Sequence, residues 1–389
     1  MTKLLHGSNH AEVAILLNRM GDVYAKMQDW DNAIGSYQGA IRVRKVNITD
    51  SNKDVDTDLD VAALLHKKGN VHIYRAEYDV GKSCFEGSLQ AKQYALGSES
   101  MAVASVLHCM GVAEHNMQKH QEALKFFSEC LRISQRELGE NHERCGDAVH
   151  WMGRQYEEIS DLRKARFTYL AALRIYKACR PSVDHRAVIK TLYFLGSVFD
   201  KLEQYSMALK IFKEELKLIE ENLQGEHVST ADALFSIANI YSKKRDISNA
   251  MEYFELAGRA TELAYGREDE RVAIALEKLG ILHAKRGDND LAKDRLTEAY
   301  ELREKVNGRD HVDTATAAFK LGCVLDKIHQ WPAAMECYQE SLRVRKLNFG
   351  VGHKDVALTL LRMGENFSTR DQFEDAITCF QEVSLFYEC

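Results

Sequence analysis

HVDTATAAFKLGCVLDKIHQWPAAMECYQESLRVRK, residues 311 to 346, reads as two helices joined by a tight turn. Ala315, Ala318, Leu321 and Leu325 recur every three or four residues, as one face of a helix does. The first helix of this pair, helix A, is expected from about Val312 to Lys327, and helix B from about Pro332 to Lys346. Pro332 suits the first turn of helix B, where its missing N–H costs nothing. One such pair cannot bury its own apolar face and needs neighbours of the same kind.

Those neighbours are present on both sides. Gly322 belongs to a column formed by Gly21, Gly69, Gly111, Gly153, Gly196, Ala238, Gly280, Gly322 and Gly364. Its spacing is 42 residues except for 48 from Gly21 to Gly69 and 43 from Gly153 to Gly196. Positions below are counted from this marker. At +12 stand Ala33, Gly81, Ala123, Ala165, Ala208, Ala250, Ala292, Ala334 and Ala376. At +16 stand Tyr37, Phe85, Phe127, Tyr169, Phe212, Phe254, Leu296, Tyr338 and Phe380. Small residues let two helices approach, and the aromatic side chains are expected to fill the space between successive pairs. Nine pairs follow, at approximately 10–46, 58–96, 100–138, 142–180, 185–224, 227–265, 269–307, 311–349 and 353–389. The expected fold is all-α, a solenoid of antiparallel helix pairs continuous over residues 1–389.

The junctions carry a second signature. Gly97, Gly139, Gly225, Gly266, Gly308 and Gly350 follow helix B and are expected at left-handed C-caps. Eleven residues before each marker stand His10, Asp58, Ser100, His142, His185, His227, Asp269, His311 and His353. Asp and Ser are good N-caps, so the column is expected to start helix A rather than to bind metal. The extra residues of the long interval fall in NITDSNKDVDTDLD, Asn47 to Asp60, an acidic loop. It lacks a calcium loop's glycine and closing glutamate, since Val55 and Val61 stand there.

Composition narrows the function. A net charge of −6 argues against general nucleic-acid binding. The nine cysteines include no CxxC pair, so neither a disulfide framework nor a zinc ribbon is indicated and reduced thiols in a cytoplasmic protein are expected. No apolar run is long enough for a membrane span. The sequons at Asn47 and Asn366 read as accidental, the second lying within an expected helix. Gly81-Lys82-Ser83 imitates the end of a P-loop, but Ala76 replaces the upstream glycine. No HExxH or GxSxG occurs, so no catalysis, cofactor or catalytic metal is expected.

The marker, +12 and +16 columns resemble the tetratricopeptide repeat. The 42-residue period and the junctions LRISQRELGENH (Leu131 to His142) and LRVRKLNFGVGHKDVA (Leu342 to Ala357) are similar to the kinesin light chain type. The resemblance implies a right-handed superhelix whose A helices line a concave groove for extended peptides. In that family paired asparagines just before the marker contact the ligand backbone. Here position −2 carries Arg19, Lys67, Cys109, Trp151, Phe194, Ser236, Lys278, Lys320 and Arg362, with Asn18 one place earlier. No coiled-coil heptads for a motor heavy chain are seen. The main reading is a scaffold or adaptor for protein partners. Alternatives are a cargo adaptor binding cytoskeletal motor components and the regulatory array of a signalling NTPase.

The groove residues suggest a ligand class. Position +5 carries Lys26, Lys201, Lys243, Lys285 and Lys327, and position −2 carries Lys278, Lys320 and Arg362. Seven residues make two helical turns, so −2 and +5 share a face. In pairs five to nine this face would form a basic strip for an acidic peptide or a terminal carboxylate. Trp151 and Phe194 either form an apolar anchor in the groove or are covered by the superhelix. Gly7 and His10 resemble the end of a junction, and Phe380, Val383, Leu385, Phe386 and Tyr387 crowd the other end. These features lead to an expectation of end-to-end self-association or of a longer array.

Overall fold

In a computed structural model, describing residues 11–46, 55–179, 185–222 and 227–388, each half of every repeat is a helix of 16 to 20 residues. In chain order these are α1 (Ala11–Lys26), α2 (Trp30–Val46), α3 (Val55–Tyr74), α4 (Tyr78–Leu96), α5 (Met101–Asn116), α6 (His120–Leu138), α7 (Glu143–Glu158), α8 (Leu162–Ala178) and α9 (His185–Lys201). They continue as α10 (Tyr205–Asn222), α11 (His227–Lys243), α12 (Ile247–Tyr265), α13 (Glu270–Arg286), α14 (Asn289–Asn307), α15 (Val312–Lys327), α16 (Trp331–Phe349), α17 (Lys354–Thr369) and α18 (Phe373–Glu388). No strand occurs among the described residues. The odd-numbered helices are A helices and the even-numbered ones B helices. The chain divides into two compact units, residues 1–204 and 205–389, at the turn after α9. No proline- or glycine-rich linker marks that point.

The marker column is explained by what lies over it. A Cβ at Gly21 would come within 2.5 Å of the Tyr37 ring, and one at Gly111 or Gly153 within 2.7 Å of Phe127 or Tyr169. The +16 ring therefore rests on the marker of its own repeat, where the missing side chain makes room. Its other edge meets the next repeat: Phe85 forms one apolar cluster with Val106 and Met110 of α5. The aromatic column thus closes the pair as well as the junction. Each such ring, fully buried, stabilises by about 2–3 kcal/mol.

The caps follow the sequence with two differences. Nδ1 of His142, His311 and His353 accepts the backbone N–H of Arg144, Asp313 and Asp355 at 3.2 Å, and Asp269 Oδ1 accepts that of Arg271 at 2.9 Å. Asp58 is not a cap: α3 begins at Val55, so Asp56, Asp58 and Asp60 belong to a helix rather than a loop. Gly97, Gly139, Gly266, Gly308 and Gly350 have φ between 78° and 90° but ψ between 159° and 171°. This is not the left-handed helical cap but an extended region open essentially to glycine alone. His10, Gly7, Asn47 to Asp54 and Gly225 lie outside the described residues, as do the side chains of Leu385, Phe386 and Tyr387.

Within each unit every helix packs on the one before and the one after it. Successive A helices also approach one another directly, α3 with α5 and α7 with α9 in the first unit, α13 with α15 and α15 with α17 in the second. No two described B helices do so to the same extent. Each unit therefore has its A helices on the more closely spaced side.

Candidate functional site

The A-helix face is built from two adjacent columns. Position −3 packs inward on the B-helix ring of its own repeat. His66 meets Phe85 and His108 meets Phe127 edge-on, each with 5.5 Å between centroids, and Phe319 lies 5.8 Å from Tyr338. Position −2 of the following A helix then reaches back to that −3 residue. Lys67 Nζ donates to Asn18 Oδ1 at 2.9 Å, Cys109 Sγ lies 3.6 Å from His66 Nε2, Trp151 meets His108 at 6.2 Å and Phe194 meets His150 at 5.7 Å. In the second unit Lys320 bonds Glu277 by the same step. The −3/−2 contact is thus a ladder running from one A helix to the next.

Trp151 and Phe194 are rungs of this ladder. Trp151 stacks on Phe127 at 5.7 Å and Phe194 stacks on Tyr169 at 6.1 Å. Arg154 sets its guanidinium 4.2 Å from the Phe194 ring and 5.9 Å from that of Trp151, a cation–π contact. Both aromatic side chains remain half-buried, so they are tied into the array while still presenting a face. At the −3 positions of the first unit burial holds His66, His108 and His150 at a pKa of about 4, helped by Lys92 at His66, Arg144 at His108 and Arg154 and Lys190 at His150. These imidazoles are neutral at pH 7 and contribute polar rims rather than charge.

The basic residues do not behave alike. Lys201 belongs to the first unit, as Lys26 does, and binds Glu157 Oε1 at 2.7 Å. Lys320 is half-buried and engages Glu277, a buried carboxylate that also takes Arg303 at 3.1 Å. It holds the array together rather than standing free in a strip. Arg362 is paired with Glu365 at 2.8 Å. Lys243 is exposed at the end of α11. Lys278, Lys285 and Lys327 have no ion pair among the described residues.

Of the residues in this ladder the sequence pattern marks Asn18, but not His66, His108, His150, Glu277 or the neighbouring Arg154. A signal existed: His66, His108 and His150 recur at the same 42-residue interval, one place before the −2 column. Other motifs resolve into structure. Lys82 of the P-loop imitation lies in α4 and pairs at 2.7 Å with the buried carboxylate of Glu114. Asn366 is buried in α17 and donates to Asp326, so this sequon is closed to modification. Among the described residues no group of three or more His, Cys, Asp or Glu is placed to hold a metal ion, and no helix is long and apolar enough to cross a membrane.

Three family models match the chain, all described as tetratricopeptide repeat: one over residues 102–178 and 271–347, another over 231–257, and a third over 16–46 and 191–225. Together they account for well over half of the sequence. No curated protein matches at a significant level. Among solved structures, the apo form of RapI is similar with a TM-score of 0.64 at 12% identity, covering 96% of this chain and 97% of that one. A STAND protein with a tetratricopeptide repeat sensor from Pyrococcus horikoshii has a TM-score of 0.61 at 13% identity, covering 91% of this chain and 53% of that one. The apo form of the quorum sensor NprR from B. thuringiensis has a TM-score of 0.53 at 14% identity, covering 94% and 99%. At such identities these likenesses speak for the fold. With the marker glycines under their rings, the chained helix pairs and the matching repeat models, the chain belongs to the tetratricopeptide-repeat proteins.

Proposed function

We propose that this chain is a non-catalytic interaction scaffold that binds extended segments of protein partners along its A helices. The observation that carries the reading is the −3/−2 ladder. It lines up partly buried aromatic, amide and charged side chains along the A helices, at successive repeats of the first unit and at Lys320 and Glu277 in the second. Such a row supplies what an extended chain needs: apolar faces at intervals, with hydrogen-bonding and charged groups between them. In the first unit Trp151, Phe194 and Arg154 form an anchor for an apolar side chain beside a carboxylate. In the second unit Lys278, Lys285 and Lys327 supply positive charge that no described carboxylate pairs. Acidic peptide segments are the favoured ligands, and no cofactor enters the reading.

A finer assignment to the kinesin light chain type, with motor components as partners, rests on the 42-residue period and the quoted junctions alone. A reading as the sensing array of a signalling NTPase draws on the likeness to the Pyrococcus horikoshii protein, of whose length this chain spans about half. A reducing, cytoplasmic setting fits the cysteines: burial raises the Cys109 and Cys130 thiols to about 11, which keeps them protonated and unreactive.

The test is a selection from a displayed random-peptide pool on the intact chain. The reading expects enriched acidic sequences carrying an apolar residue, lost when Trp151→Ala and Arg154→Ala are combined. A pool that shows no enrichment, or one that enriches equally on the double variant, would count against it.

A further inference from the structure

At several junctions position +23 of the B helix holds a cation, and position −9 of the next A helix answers it with an aspartate. Arg44 pairs with Asp60 at 2.8 Å, Arg303 lies 3.6 Å from Asp313 Oδ1, and Arg345 donates to the backbone carbonyl of Asp355 at 3.0 Å. Between repeats three and four the pattern is broken: Ser134 stands at +23 and Arg144 at −9. Arg144 is exposed, and its guanidinium has no ion pair or hydrogen bond among the described residues. Ser134 is fully buried beside the Cys130 thiol, and its hydroxyl has no hydrogen bond of ordinary geometry among the described residues. Both border a cavity of about 290 Å³, to which α5 contributes Ser105 and His108, α6 Cys130 and Ser134, and α7 Arg144 and Asp147. The cavity adjoins the ladder, since His108 meets Trp151 at 6.2 Å. A cavity in the same place between repeats one and two, about 300 Å³, is lined by the closed Arg44–Asp60 pair.

We propose that the cavity between repeats three and four takes a carboxylate of the bound partner, held by the Arg144 guanidinium and the Ser134 hydroxyl. The inference deepens the scaffold reading, on which it rests for the partner being a protein segment. A carboxylate has two acceptor oxygens, one for the guanidinium and one for a buried hydroxyl that is otherwise unmet. The acids at the cavity do not supply that group, because both act on α8. Asp147 accepts the Tyr176 hydroxyl at 2.7 Å, and after burial it is Asp147, with Glu143 behind it, that raises the Tyr176 phenol. On the His108 side the balance is positive: burial lowers the imidazole first, and Arg144 is the charged group that adds to it. The cavity between repeats one and two has similar room but already contains its own carboxylate, Asp60. It provides the internal comparison.

Small acids test the cavity on the intact chain without a peptide partner. N-acetylglycine presents a terminal carboxylate, N-acetylglutamic acid amide a side-chain carboxylate, and N-acetylglutamine amide neither. The readout is the His108 ring signal in the NMR spectrum of protein carrying isotope-labelled histidine, assigned by its loss in His108→Phe. At least one acid should move that signal saturably, and the glutamine derivative should not. Tighter binding of the first acid assigns the site to a chain end, and of the second to an acidic side chain. Arg144→Gln should weaken binding by about tenfold and Ser134→Ala by about threefold, whereas Arg44→Gln at the other cavity should leave it unchanged. Circular dichroism checks that each variant keeps wild-type helicity, and Arg144, being exposed, can be replaced without disturbing the core. No shift with either acid, equal binding of the glutamine derivative, or a loss in Arg144→Gln no larger than in Arg44→Gln would overturn the proposal. None of these results would touch the scaffold reading, which the peptide selection judges separately.

Discussion

Lys320 of α15 reaches back one repeat to the buried carboxylate of Glu277 in α13, which Arg303 of α14 also holds at 3.1 Å. This is the polar form of the step that carries Trp151 to His108 and Lys67 to Asn18. A buried carboxylate with two cations contributes by registering three helices, since two desolvated charges would otherwise be stranded.

Glu277→Ala should therefore cost about 3 kcal/mol, because it leaves Arg303 buried without its carboxylate. Lys327→Glu, at an exposed site, should change stability by less than about 0.5 kcal/mol. Urea denaturation of both variants compares them directly. Similar midpoints would show that the Glu277 cluster is not holding the helices.

Gly153 lies under the Tyr169 ring, with a Cβ position 2.7 Å from the nearest ring carbon. Both belong to one buried pair that has no slack. Gly153→Ala should destabilise by about 1–3 kcal/mol, and Gly153→Ala combined with Tyr169→Leu should recover part of the loss. Thermal melting of the single and double variants measures the coupling. Additive losses would place the ring elsewhere.

The turns between A and B helices should yield stability. Ala76 sits at φ 60°, a left-handed conformation that a Cβ disfavours. Ala76→Gly should raise stability by about 0.5–1 kcal/mol, against the usual penalty for glycine, and a β-branched residue there should lower it. Chemical denaturation decides the sign.

The buried histidines of the first unit and Glu215 of the second should shift stability with pH in opposite directions. In the first unit, His66, His108 and His150 have pKa values lowered to about 4 by burial. Their unfolded forms take up protons first, so stability is lost as pH falls from about 6.5 toward about 4. In the second unit, burial and then the neighbouring Asp232 raise Glu215 to about 8. There the folded form keeps its proton longer, so stability is lost as pH rises from about 4.5 to about 8. Glu215→Gln should remove that slope and stabilise the second unit at pH 8 by about 1–3 kcal/mol. Hydrogen exchange, which resolves the units separately, reads both trends.

The helix pairs were legible because their signal repeats. Gly111 and Phe127 mean little alone, but the same offset in eight other repeats fixes the fold. The binding face was legible only in outline. Counting from the marker found Trp151 and Phe194, yet whether Lys320 is free depends on Glu277, 43 residues earlier, and on how far two helices are apart. Asp58 misled for a local reason: an aspartate is at home both at a cap and in the first turn of a longer helix, and α3 starts earlier than its counterparts. The division after α9 leaves no trace in composition, since the turn there keeps the pattern of the others.

The measurement closest to the central claim is calorimetric titration of a selected acidic peptide into three proteins at low salt. These are the wild type, a Lys278→Glu/Lys285→Glu/Lys327→Glu variant of the A-helix face, and a Lys210→Glu/Lys217→Glu control on the B helix α10. Binding along the A helices predicts an affinity loss of about tenfold or more for the first variant, easing as salt rises, and little change for the control. Equal affinity for all three proteins, or a loss confined to the α10 control, would contradict it.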